Sequence, residues 1–132
     1  MAVAFGMAHA LLKLKRVYDE PSNEDGRRVL VDRLWPRGLS KKDAKLTDWI
    51  KDVAPSRELR KWFGHRPERF TDFREKYRQE LASNPAVQAL LHFNDEPVTL
   101  VYGAKDPDHN HAVVLLEFLK GLEDRGSLAS EI

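Results

Sequence analysis

No cysteine occurs among the 132 residues. That excludes disulfides, thiol nucleophiles, zinc–cysteine sites and iron–sulfur clusters, and it is in keeping with a reducing, cytoplasmic setting. No stretch approaches the roughly 20 apolar residues of a membrane-spanning helix, so no membrane partner is expected. No Lys or Arg precedes Lys13, so the N-terminus lacks the basic region of a secretory signal. A Walker loop, a dinucleotide fingerprint, a Gly-x-Ser-x-Gly elbow and a His-Glu-x-x-His helix are all missing. So are internal repeats and low-complexity tracts.

What remains is one soluble domain with 42% hydrophobic and 33% charged residues, long enough to bury a core without staples. Residues 1–11 read as a flexible tail and 12–132 as a single α/β domain. The net charge of +1 hides an asymmetry: 16 Lys and Arg face 8 Asp and Glu between Arg27 and Arg78, against 3 and 8 from Asp95 onward. A basic middle attracts phosphates, although solvated helix faces account for much of it.

Strand-like runs occur at Leu12–Tyr18, Arg28–Asp32 and Val98–Tyr102. Between them, helical spacing links Leu46, Trp49, Ile50 and Val53, with a strand around Trp49 as the alternative. A short helix capped by Ser56 holds Leu59, Trp62 and Phe63 and closes at Gly64. Phe70, Phe73, Tyr77 and Leu81 share one helix face, and a strongly apolar helix follows Asn110. Strands alternating with helices predict an α/β fold, a mainly parallel short sheet flanked by helices. With the second and third runs parallel, the loops after them converge at one sheet edge.

Those two loops hold the chemistry. Asp32, Arg33, Trp35 and Arg37 precede a helix start at Ser40. Arginine forks grip carboxylate or phosphate with two prongs, and Trp35 offers a stacking face or a lid on the core. The second loop offers Lys105, Asp106, Asp108, His109, Asn110 and His111. Lys105, Asp106 and His111 are the candidates for charge and proton transfer. Arg33, Trp35, Arg37, His65 and Tyr102 are the candidates for ligand binding. Asp108 and Asn110 also suit a helix N-cap. His109 and His111 have no defined further ligand, so no tightly held metal is expected.

Five segments occur in order: Arg16-Val-Tyr-Asp19, Val31-Asp-Arg-Leu-Trp-Pro-Arg-Gly-Leu39, Ala54-Pro-Ser56, Leu59-Arg-Lys-Trp-Phe-Gly-His65, and Leu100-Val-Tyr-Gly-Ala-Lys-Asp106 with His109-Asn-His111. Together they resemble the YeaO-like branch of DUF488, a bacterial domain-of-unknown-function family, from about Leu12 to Leu119. The resemblance implies a compact α/β domain and brings no established reaction, cofactor or ligand. The wider family often carries cysteines in the last motif. Here Tyr102 and Asn110 stand in those places and Ala112 replaces an Arg, so thiol chemistry does not carry over.

Three readings compete. The first is an enzyme-like domain that binds an anionic small molecule or a nucleotide at the sheet edge. The second is a non-catalytic nucleic-acid-binding module with weak, salt-sensitive affinity, and the third a structural or interaction domain whose charges only specify the fold. A pocket lined by both loops favours the first, a flat basic face the second, and mutual salt bridges the third.

Overall fold

Val98–Tyr102 is the axis of the molecule. Every side chain of this strand, β4, is buried, as its unbroken β-branched and apolar run requires of an interior parallel strand. The computed structural model describes residues 12–93 and 96–130; the expected N-terminal tail lies outside them. β4 pairs in parallel with β1 (Leu12–Arg16) on one side and with β2 (Arg27–Leu30) on the other, and β2 pairs in parallel with β3 (Asp48–Trp49). The sheet order is β1-β4-β2-β3.

The helices in chain order are α1 (Lys41–Ala44), α2 (Arg57–Phe63), α3 (Phe70–Ala82), α4 (Val87–Leu91) and α5 (His111–Ser130). The two faces of the sheet differ. Val29, Val31, Val98, Leu100 and Tyr102 point into the main core against Phe63, Phe73, Tyr77 and Leu115. On the other face Leu30 and Val101 meet Val17, with Trp35, Leu39 and Leu46 packed over them. There too Arg28 and Asp25 lie buried, 2.6 Å apart. Alternation along β2 and β4 sends successive residues to opposite faces.

The spacing read as a helix over Leu46–Val53 resolves otherwise. α1 stops at Lys45, which adopts a left-handed conformation (φ 47°). The chain then runs into β3 and a short 3-10 turn, Lys51–Val53. Ile50 N–H donates to the Leu30 carbonyl at 3.0 Å, so the available sheet edge wins over helical periodicity here. No helix among the described residues is long and apolar enough to cross a membrane.

Candidate functional site

Because β2, β3 and β4 are parallel, the segments leaving their carboxyl ends meet at one edge, where ligands gather in open α/β sheets. The meeting point is stitched by Asp32. Its Oδ2 accepts a 2.9 Å hydrogen bond from the Gly103 backbone N–H. A Cβ at Gly103 would stand 3.0 Å from that oxygen, so the glycine permits the approach. His111, at the start of α5, sets Nε2 3.1 Å from the Val31 carbonyl and 3.2 Å from Asp32 Oδ1. Asp32 Oδ1 is buried and has no well-formed hydrogen bond among the described residues.

Between these segments and α2 lies a cavity of about 580 Å³, within the usual range for a small-molecule site. Arg33, Arg37, Arg57, Arg60 and Lys61 line it, and among the described residues Asp32 is its one carboxylate. Arg57, Arg60 and Lys61 stand at i, i+3 and i+4 on α2, a spacing that puts them on one helix face. The opposite side of α2 buries Leu59 and Phe63. Tyr18, Trp35 and His65 bring rings to the same wall, and Phe63 and Phe73 lie beneath it.

The cations are unevenly compensated. Arg33 donates to the Ala54 carbonyl at 3.2 Å and stands 3.9 Å from Asp52. Among the described residues, the side chains of Arg37, Arg57, Arg60 and Lys61 make no ion pair or hydrogen bond. The Nε of Arg33 and that of Arg60 are buried without an acceptor. Such a concentration of one sign, left uncancelled, has a cost in repulsion and desolvation that a bound anion would offset.

Of the residues singled out from sequence, Arg33, Trp35, Arg37, His65 and His111 share the cavity wall. Trp35 is also structural: its Nε1–H donates to the Leu39 carbonyl at 2.7 Å and its ring meets Trp49 edge-on. His65 is exposed and takes a left-handed backbone (φ 58°) after the helix-ending Gly64. Lys105 is exposed and off the wall, and Tyr102 is buried in the core, where burial raises its hydroxyl pKa.

Asp106 organises its own loop. Its Oδ1 accepts from the backbone N–H groups of Asp108 and His109, and its Oδ2 stands 2.8 Å from His109 Nδ1. The Asp108 N–H, followed by His109, holds this carboxyl below the ordinary carboxylate range. Asn110 caps α5, accepting from Val113 N–H at 3.1 Å. Among the described residues no three metal-ligating side chains converge.

The sequence reading missed Tyr18, Arg57, Arg60 and Lys61. The i, i+3, i+4 cations on a helix opposite buried Leu59 were the available signal for the last three.

A family model described as "Inactive DUF488-N3 subclade" matches residues 11–130. The uncharacterised protein YeaO of Escherichia coli is 44% identical over 113 residues, 84% of this chain and 98% of its own. Uncharacterised proteins of Mycobacterium tuberculosis and Mycobacterium bovis are each 42% identical over 111 residues, 83% of this chain and 94% of theirs. No solved structure matches. With nearly its whole length accounted for in this way, the chain belongs to the DUF488-N3i family, among the YeaO-like DUF488 proteins.

Proposed function

We propose that the protein binds an anionic small molecule or a nucleotide in the sheet-edge cleft and holds it without turning it over. One imbalance carries this reading: among the described residues, five cations face one carboxylate around this cavity, and four of the five have no counter-ion. Low-dielectric walls focus such a field and raise the local concentration of anions. The rings of Tyr18, Trp35 and His65 add planar surface for a base or another flat group.

Binding without turnover is supported from two sides. The family carries the description inactive. Two of the three residues first considered for proton transfer, Lys105 and Asp106, are absent from the cavity wall. A nucleic-acid module finds less support, because these cations line a concavity rather than a flat face. Only weak, salt-sensitive nucleic-acid affinity is expected.

The test is calorimetric titration with inorganic pyrophosphate and with adenine nucleotides, beside Arg60→Ala. Micromolar binding that Arg60→Ala weakens at least about tenfold, the scale of a charge-assisted hydrogen bond, is the expected result. Absence of binding, with Arg60→Ala lowering the stability of the free protein by about 3–5 kcal/mol, would make the cations a fold-specifying network instead.

A further inference from the structure

His111 is the cavity residue whose neighbours select one tautomer. Its Nε2 sits between two acceptors, the Val31 carbonyl at 3.1 Å and Asp32 Oδ1 at 3.2 Å. A lone pair there would face two others, so Nε2 carries the proton. In the neutral imidazole, Nδ1 is then an acceptor. The ring is held in this pose by its position at the first turn of α5 and by the edge of Tyr77, 6.4 Å away between centroids. Asp32 is itself held by the Gly103 N–H. His111 lines the cavity, and Nδ1 makes no hydrogen bond among the described residues.

The other polar side chains of this wall are mostly donors. Arg33, Arg37, Arg57, Arg60 and Lys61 have nothing but N–H groups to offer. Asp32 Oδ1 is buried. A bare polyanion would satisfy the cations and leave the His111 acceptor facing no donor.

We propose that His111 reads a hydroxyl on the bound molecule, so that the ligand class is a phosphate ester carrying a free hydroxyl, with a ribonucleotide as the best fit. This deepens the anion-binding reading and rests on it. The phosphate lies toward Arg57, Arg60 and Lys61, the ring toward the aromatic wall, and a sugar O–H donates to Nδ1. His111 is a specificity-determining residue in this account, and no bond is made or broken.

Three probes separate the possibilities: AMP, 2′,3′-dideoxy-AMP, which has the same base and charge but no ribose hydroxyl, and inorganic pyrophosphate. Each is titrated calorimetrically into the wild-type chain and into His111→Gln. The glutamine amide retains a donor for the Val31 carbonyl, and its acceptor oxygen does not stand in the place of Nδ1. Wild type is expected to bind AMP about tenfold more tightly than the dideoxy compound, the worth of one well-placed hydrogen bond in a desolvated site. His111→Gln should shrink that preference to about twofold or less and leave pyrophosphate affinity within about twofold.

Equal binding of the two nucleotides by wild type, or binding of pyrophosphate alone, overturns the hydroxyl reading and leaves the anion site standing. Loss of pyrophosphate binding in His111→Gln overturns it as well, since the ring would then be contacting the anion. Binding of none of the three removes the anion site itself and this inference with it. Should His111→Gln fail to fold, the wild-type ratio of AMP to dideoxy-AMP still decides.

Discussion

Asp25 and Arg28 have side chains only 7% and 5% exposed and form a 2.6 Å ion pair beneath the sheet. Lys15 approaches the other carboxylate oxygen at 3.0 Å. The guanidinium also donates to the Ala44 carbonyl. Asp25→Ala would leave that guanidinium buried without its counter-charge, and urea unfolding should show a loss of about 3–5 kcal/mol. Burial pushes the Asp25 carboxyl up, but the Ser22 N–H and the Lys15 and Arg28 side chains outweigh it and hold the carboxyl below its ordinary value. A carboxyl more acidic in the folded chain adds stability that is present above about pH 4 and lost as pH falls through the folded value. Unfolding curves between pH 2 and 5 should therefore lose part of their acid dependence in Asp25→Asn. Arg37 and Lys105 form the opposite case. Both are exposed and have no partner among the described residues, so either alanine variant should change the stability of the free protein by less than about 1 kcal/mol. They part on binding: Arg37→Ala should weaken pyrophosphate, and Lys105→Ala should not.

At the scale of elements, much was written in the sequence. The recurrence of Phe70, Phe73, Tyr77 and Leu81 gives α3 its buried face. Ser40 and Ser56 accept from the backbone N–H three residues on and begin α1 and α2. Gly64 ends α2 in the left-handed conformation. The stretch around Trp49 was ambiguous because it is two residues of strand with a helix-like apolar spacing. Its conformation is set by β2, a partner distant in sequence, which local periodicity does not report. The start of β2 rests on Gly26, with φ 65° and a Cβ position that would stand 2.6 Å from Pro97 Cβ. Gly26→Ala must adopt an unfavourable backbone and move the segment entering β4. Chemical denaturation should show a loss of about 1–3 kcal/mol, the usual range for overpacking.

For the whole molecule, the parallel pairing of β2 with β4 was legible, and with it the convergence of their loops on one edge. The third wall was not. α2 brings Arg57, Arg60 and Lys61 to the cavity from a part of the chain whose charges also fit an ordinary solvated face, and only the packing of Leu59 and Phe63 fixes which way that face turns. Lys105 failed to join for a related reason: it follows β4 by three residues, yet the Asp106-centred turn holds the loop so that Ala104 and Asn110 line the cavity instead. The resulting charge distribution makes a prediction about the molecule as a whole. Five cations around one cavity repel each other, and salt screens them over about 10 Å at 0.1 M ionic strength. If they are kept for a ligand and not for the fold, removing them relieves repulsion. Arg57→Gln and Lys61→Gln should then leave the melting temperature of the free protein unchanged or raise it, by no more than about 1 kcal/mol in stability, with the gain largest at low salt. The same variants should lose most of the stabilisation that pyrophosphate confers on wild type, which grows as RT ln(1 + [L]/Kd). A fall in stability in the free protein with no change in the pyrophosphate response would place these residues in the fold and leave the cleft without its anion.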